Sequence, residues 1–369
     1  MNILLLEPFS TGSHKYFCES LVNYSTHEID LLEMPGKNWK WRMHGGAVEL
    51  SRQFLDSQKE YDLILASDMC DLGLFISLGR EKFSKSTKFA TYFHESQFSY
   101  PWSDQDHVPR QNRDLHFSFI NYTNALVSDF NIFNSKFHFD SFFKDLEAFL
   151  RKMPDFKGVG TISSIRKKSF VLEVGIDPRF KSNPKSDTDE SDVLKILWNH
   201  RWEYDKNPED FFKVLFKIKD QGLPFELITL GYNSGRIPEI FPQAKEKLAD
   251  EIIQWGPVAT IEEYLHWLSR ADILPVTSLH DYFGISTVEA VLSGAKPILP
   301  KRMNYPYLVK KEHHSQYLYD NLEDLEQKIT QAIKDKNRGQ AKLEHFHTND
   351  LFWPDIIKKY DELFSQHDL

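Results

Sequence analysis

Two carboxylates flank a glycine in the run His280-Asp281-Tyr282-Phe283-Gly284-Ile285-Ser286-Thr287-Val288-Glu289. An apolar run over 272–277 precedes them and reads as a buried parallel strand. An amphipathic stretch from Thr287 to Ser293 follows, closed by Gly294. Strand, loop and helix start in that order bring backbone N–H groups and the positive end of a helix to an anion. Tyr282, Phe283, Gly284, Ile285, Ser286 and Thr287 make up that loop and helix start. Asp281 before the helix and Glu289 in its first turns then address hydroxyls on the same ligand. A sugar nucleotide has both parts, an anion and neighbouring hydroxyls. The plainer reading of Glu289 is that it only complements the helix dipole.

A second constellation lies at Asn199-His200-Arg201-Trp202-Glu203-Tyr204-Asp205-Lys206, after a strand that ends at Trp198. Arg201 offers a planar fork and Lys206 a point charge, a pair suited to a diphosphate. The alternative is that both cations pair with Glu203 and Asp205. No His/Asp cluster stands at metal-ligand spacing, so these cations are expected to stand in for a metal, and no cofactor is expected. Gly12-Ser13-His14-Lys15 opens a helix where glycine allows close approach to a ligand. The alternative there is a plain turn with Ser13 as the cap. Tyr92-Phe93-His94-Glu95 follows a buried strand. His94 is read as a positioning and charge-stabilising group, and Glu95 as an acceptor-side base or hydrogen-bond partner. Trp39, Lys40, Trp41 and Arg42 alternate aromatic and basic side chains, a pattern on which bases stack and phosphates pair. The alternative is a core strand with solvated charges between its tryptophans. Arg166, Lys167 and Lys168 extend the phosphate track or form a solvated face.

The elements that must hold these groups alternate in type. Strands are expected over 2–7, 28–32, 62–67, 88–93, 125–129 and 169–177, with helices over 14–22, 47–57, 113–123 and 137–150. After a polar, charged segment over 181–192 the alternation resumes. Strands are expected over 193–198, 225–230, 252–255, 272–276 and 296–299. The helices between and after them fall over 208–219, 244–250, 261–269, 287–293 and 322–335, and a helical tail covers 352–364. Such alternation predicts parallel α/β sheets covered on both faces, in two domains that face each other. Domains are expected over 1–182 and 193–348, with a terminal helix over 349–369. A length of 369 residues supports two domains, and 29 Phe residues can fill two cores. The formal net charge of −9 argues against a broad electrostatic grip on nucleic acid and leaves room for a local basic patch. Cys18 and Cys70, the two cysteines, point to a reducing compartment, so a cytoplasmic location is expected with no membrane partner.

The Asp281-to-Glu289 spacing around Phe283-Gly284 resembles the donor-site signature of retaining GT-B glycosyltransferases of the glycogen-synthase-like superfamily. That resemblance implies two Rossmann-like domains facing a cleft and a C-terminal helix crossing back to the first domain. It assigns donor-sugar hydroxyls to Asp281 and ribose to Glu289. It also assigns the donor diphosphate to Arg201 and Lys206, and a contact with the donor sugar to His94. Gly12-Ser13-His14-Lys15, Lys40-Trp41-Arg42, Phe93-His94-Glu95 with Gln97 and Tyr100-Pro101, His200-Arg201-Trp202-Glu203, and Asp281 to Glu289-Ala290 occur in one order. Together they resemble the tRNA-queuosine mannosyltransferase family. This implies transfer of mannose, with retention, from GDP-mannose to queuosine in a tRNA anticodon. Gly12 and Ser13 then belong to the donor side, and His14, Lys15, Trp39, Lys40, Trp41 and Arg42 to the acceptor side. One alternative is a GT-B enzyme with another nucleotide sugar and a lipid or polysaccharide acceptor. A non-catalytic sugar-nucleotide sensor is another.

Overall fold

The computed structural model describes residues 1–99, 115–182, 193–232, 237–335, 341–348 and 350–366. The chain divides into two compact units, Met1–Gly175 with Asp350–Leu369, and Ile176–Asn349. The first division lies ahead of residue 182 because Phe180 is buried and packs its ring against Tyr264 of the second unit. Most of the expected linker, 183–192, lies outside the described residues, as do Tyr100 and Pro101.

In the first unit, strands β1 (Asn2–Ser10), β2 (Glu28–Pro35), β3 (Leu63–Ser67), β4 (Lys88–Phe93), β5 (Phe130–Phe133) and β6 (Ser169–Val171) form one sheet in the order β2-β1-β3-β4-β5-β6. Every pairing in it is parallel. Ile3 to Leu6 are fully buried, the unbroken apolar run that a strand covered on both faces requires. The helices are α1 (Gly12–Tyr24), α2 (Trp39–Asp56), α3 (Leu72–Gly79), α4 (His116–Val127), α5 (Lys136–Leu150) and the short α6 (Ile162–Lys167). The phenylalanines of α5 and the sheet, among them Phe93, Phe133, Phe142 and Phe143, fill one core.

The expected strand over 125–129 is the end of α4 instead, and β5 begins at Phe130. A short apolar run does not by itself separate a buried helix end from a strand. Here Ser128 closes the helix, its N–H donating to the Asn124 carbonyl at 3.1 Å. The expected strand over 169–177 pairs only as far as Val171. Beyond it, Gly175 lies directly under the Trp353 indole.

The second unit carries β7 (Leu194–Trp198), β8 (Phe225–Thr229), β9 (Ile252–Trp255), β10 (Ile273–Pro275), β11 (Lys296–Pro300) and β12 (Leu318–Tyr319), in the order β12-β11-β10-β7-β8-β9 and again all parallel. Its helices are α7 (Pro208–Asp220), α8 (Ile240–Lys247), α9 (Ile261–Arg270), α10 (Ile285–Leu292), α11 (Tyr305–Leu308), α12 (His314–Tyr317) and α13 (Leu322–Lys334). Trp198, Trp202, Phe211, Phe212 and Phe241 form the aromatic centre of its core. Helix α8 starts earlier than the expected 244–250, because Pro242 falls in its first turn, where a missing N–H costs nothing.

The last helix, α14 (Trp353–Gln366), belongs to the first unit. Trp353 and Tyr360 are fully buried, and the Tyr360 hydroxyl donates to the carbonyls of Leu172 (3.1 Å) and Glu173 (2.9 Å). Asp361 accepts from the Ser25 hydroxyl at 2.6 Å and from the Thr26 N–H at 2.9 Å.

Candidate active site

In each sheet the chain reverses its direction of growth beside the first strand. From β7 it runs outward to β8 and β9, then crosses to β10 on the other side of β7. Ligands of open parallel sheets bind outside the carboxyl ends of the strands at such a point. Ile196 of β7 is paired with Ile273 of β10, so the loops leaving these two strands are neighbours. Those loops carry Asn199 to Lys206 and Thr277 to Gly284.

Gly284 opens α10 at φ 85°, a left-handed conformation that a side chain rarely adopts, and no side chain caps the helix. The Thr287 N–H donates to the Gly284 carbonyl at 3.0 Å, and the N–H groups of Ile285 and Ser286 ahead of it lie at the open end of the helix. Gly231, at φ 88°, lies where a Cβ would collide with the His200 carbonyl oxygen, so its absence lets the β8 loop close on the β7 loop.

Lys206 joins the two loops. Its ammonium donates to the His280 carbonyl at 2.9 Å and pairs with Asp205 at 3.2 Å and Asp281 at 3.4 Å. Burial favours a neutral Asp281, but Lys206 and the Tyr305 hydroxyl at 3.1 Å hold its carboxyl below the usual range. Arg201 pairs with Glu203 at 3.0 Å and approaches Asp205 at 3.8 Å. The pairing weighed against a diphosphate role is thus present in both cations. They differ in access, since the Arg201 side chain is 43 % exposed and that of Lys206 only 11 %.

Glu289 accepts from the Tyr264 hydroxyl at 2.9 Å, and burial pushes its carboxyl up to about 7 against that bond. Asn199 donates to the Tyr264 hydroxyl at 3.2 Å and to the Ser286 carbonyl at 2.7 Å, which ties the β7 loop to α10. His200 Nδ1 lies 2.9 Å from the Ser286 hydroxyl, and burial with nearby Lys206 lowers this imidazole to about 4, so it is neutral. Asn199 Oδ1, His200 Nε2 and Thr287 Oγ1 are buried without a hydrogen-bond partner. Unpaired buried polar atoms are costly, and three around one helix start mark a place for a polar ligand.

The first unit has its own reversal point between β1 and β3. Asp68, His94 and Glu95 sit just beyond strand ends there, with Glu7 near the end of β1's pairing with β2 and His14 on α1. Glu7 is fully buried and accepts from His14 Nδ1 at 3.0 Å, while His94 Nε2 lies 4.0 Å from the same carboxylate oxygen. The His14 and His94 rings are 4.0 Å apart, tilted by 30°. Asp68 accepts from the His94 N–H at 2.8 Å, and Asn134 donates to the His94 carbonyl at 2.8 Å. Glu95 accepts from the Gln97 amide at 2.8 Å.

Residues 2–176 match the family described as tRNA-queuosine alpha-mannosyltransferase N-terminal, and residues 180–348 match glycosyl transferases group 1. A tRNA-queuosine alpha-mannosyltransferase of Drosophila melanogaster is 30 % identical, with 99 % of this chain and 97 % of that protein covered. The chain belongs to the tRNA-queuosine alpha-mannosyltransferase family. It is a glycosyltransferase. Its fold resembles sucrose-phosphate synthase from Thermosynechococcus elongatus (TM-score 0.71, 15 % identity, 99 % of both chains). It also resembles Anabaena HepE in complex with UDP (TM-score 0.69, 15 % identity, 99 % and 100 % of the two chains). Both likenesses concern the fold, which is α/β and GT-B-like.

Within this mannosyltransferase family member, Asp281, Glu289, Arg201, Lys206 and the Tyr282–Thr287 loop come together. Tyr282 and Phe283 are buried. Tyr264, Asn199, His200 and Tyr305 join them in the second unit, and in the first unit Glu7 lies beside His14 and His94. Thr11, not Ser13, holds the N-cap position of α1, and Gly12 has φ 51°. Lys15 forms an exposed pair with Glu19 one turn on, at 3.6 Å.

Trp39 to Arg42 open helix α2, so the strand alternative does not hold. Gly46 does not break that helix, because it packs where a Cβ would meet Pro8. Trp39 is half-buried against Phe117, with Lys40 over its ring, whereas Trp41 is 65 % exposed. Arg42 reaches back toward the Met34 sulfur at 4.0 Å. Arg166 stacks over Phe139 and pairs with Asp140, and Lys168 donates to the carbonyls of Leu126 and Ser128. Lys168 is therefore held to the chain and does not extend a phosphate track. No helix among the described residues is long and apolar enough to cross a membrane.

Proposed function

We propose that the protein transfers mannose from GDP-mannose to queuosine in a tRNA anticodon, with retention at the anomeric carbon and without a metal. The observation that carries this reading is the match over nearly the whole of both chains to a protein named tRNA-queuosine alpha-mannosyltransferase. In the second unit, Glu289 takes the ribose hydroxyls and Asp281 those of the sugar. The start of α10 and the accessible Arg201 take the diphosphate, with Gly12 and Ser13 also on the donor side. Lys206, buried between two carboxylates, fixes Asp281 and the loop that bears it. His94 positions the sugar, and Glu95 is an acceptor-side hydrogen-bond partner. His14, Lys15, Trp39, Lys40, Trp41 and Arg42 serve the tRNA, with Trp41 as the exposed stacking face. The bond from the anomeric carbon to the phosphate oxygen breaks, a bond to the acceptor oxygen forms, and the acceptor proton passes to the leaving phosphate. Arg201 and the helix start, already in place at that phosphate, stabilise the charge that grows on it. Two free, buried cysteines agree with a cytoplasmic setting.

Incubation of the purified protein with radiolabelled GDP-mannose, with queuosine-bearing tRNA and with tRNA lacking queuosine, tests the reading. Label on the queuosine-bearing tRNA alone is expected, unchanged by a chelator. Label on neither tRNA, or a reaction that the chelator abolishes, defeats it.

A further inference from the structure

One buried carboxylate faces two neighbouring imidazoles in the first unit. Glu7 Oε2 is 3.0 Å from His14 Nδ1 and 4.0 Å from His94 Nε2, and Glu7 Oε1 accepts from the Phe9 N–H at 2.8 Å. The side chains of Glu7, His14 and His94 are 0, 11 and 7 % exposed. Water screens little at such a site, so two imidazolium rings 4.0 Å apart repel strongly. One carboxylate balances one charge. The pair therefore carries a single proton beyond the two of its neutral rings, and its two titrations are linked.

Hydrogen-bond geometry decides which ring carries that proton. His14 makes a normal bond to the carboxylate, while His94 Nε2 is too far for one and has no other partner. Of the other titratable groups around the pair, Asp68 touches the His94 backbone, Glu95 follows in sequence, the Tyr92 ring lies 4.7 Å from that of His94, Cys18 feels the Glu7 charge, and His138 is close enough to disfavour charge on His94. Burial opposes charge on His14, but Glu7, with Asp68 and Glu95 behind it, raises the ring to about 9. Burial, then His14 and His138, drive His94 well below its ordinary value.

The three ligand atoms are close enough together for a metal. The ring planes argue against one. A metal sits in the plane of each imidazole at ~2.0–2.1 Å from nitrogen. Planes only 30° apart with centres 4.0 Å apart do not meet so near the rings.

We propose that Glu7 is a positioning residue that fixes the pair's single proton on His14, so that the group presenting positive charge in this site is His14, with His94 held neutral. With Nδ1 committed to Glu7, the charged His14 has its Nε2–H to offer an oxygen of the substrate. That last role rests on the transferase reading, whereas the placement of the proton does not.

Two-bond proton–nitrogen NMR of the full chain, without substrates, tests the placement. At pH 7.5 His14 is expected with both nitrogens protonated and His94 as a neutral ring, with His14 titrating near pH 9. Glu7→Gln, close in shape to the native residue, is expected to lower the proton affinity of His14 at least tenfold. His14→Gln supplies a second route if Glu7→Gln does not fold. With the cation gone and Glu7 unpaired, His94 is expected to take up the proton at pH 7.5. A neutral His14 in the wild type, an unchanged His14 in Glu7→Gln, or a neutral His94 in His14→Gln each overturn the proposal. If the wild type transfers sugar, Glu7→Gln also moves the alkaline limb of its pH–rate profile downward. A wild type that transfers none defeats the transferase reading and leaves the NMR outcome in force.

Discussion

Glu289 is an acid whose surroundings press it toward the neutral form. Burial raises its carboxyl from the ordinary 4.5 to about 7, although Tyr264 donates to it. Between those two values the folded chain binds more of this proton than the unfolded chain does. Stability from this group is therefore present below about 4.5 and is lost as pH rises toward 7. Glu289→Gln is expected to remove that part of the slope. Urea unfolding at pH 5 and pH 8 should show a smaller loss in the variant than in the wild type. Binding adds a second expectation, because ribose hydroxyls and diphosphate need their partners whatever the stability. Glu289→Ala and Arg201→Ala are each expected to lower transfer from GDP-mannose by roughly 100-fold or more while the circular dichroism of the fold is kept. For Arg201, loss of one charged hydrogen-bond partner at a reacting phosphate has that order of effect, and for Glu289 the loss leaves Tyr264 and the ribose hydroxyls without a buried partner. Near-normal turnover of Arg201→Ala would remove Arg201 from the diphosphate and leave it as the surface partner of Glu203.

At the level of loops and helices, the legible parts are those where chemistry and spacing coincide. Asp281, Gly284 and Glu289 stand out in the sequence because a strand, a turn and a helix start fix their distances through the local chain. Lys206 is legible as a cation, but its three contacts come from a loop 74 and 75 residues away and its own neighbour Asp205. No local pattern encodes such distances. Tyr264 and Asn199 are hidden for the same reason. Tyr264 reads as one more apolar face residue of α9, and Glu7 as an ordinary strand-end acid. The start of α2 was hidden differently, since Gly45 and Gly46 look like a break although Gly46 is there for contact with Pro8. Gly231 gives the corresponding test of a long-range loop contact. Gly231→Ala adds a Cβ at positive φ and against the His200 carbonyl. The cost is expected to exceed about 1 kcal/mol. It should be visible as a lower urea midpoint and as weaker GDP-mannose binding by calorimetry.

Over the whole molecule, the chain leaves the first unit at Gly175, builds the second, and completes the first only with α14. The first core thus depends on residues that follow the whole of the second unit in the chain. Trp353 is its clearest case. The indole is fully buried, lies parallel to the Tyr24 ring at 6.1 Å, covers Gly175, and donates from Nε1 to the Tyr16 hydroxyl at 3.1 Å. Two contributions can be separated, burial of the rings and the one hydrogen bond. Trp353→Ala loses both and leaves a cavity, so a cost of about 3–5 kcal/mol is expected. Trp353→Phe keeps an aromatic ring and loses the donor, so its cost should fall nearer that of one hydrogen bond plus a smaller void, about 1–2 kcal/mol. Urea unfolding of the three proteins measures both differences. GDP-mannose at 100 times its dissociation constant should add about 2.7 kcal/mol to the unit that binds it. That gain should persist in both variants, because the donor groups assigned here lie in Ile176–Asn349 except Gly12, Ser13 and His94. A Trp353→Ala cost below about 1 kcal/mol would mean that α14 covers the first core without holding it together.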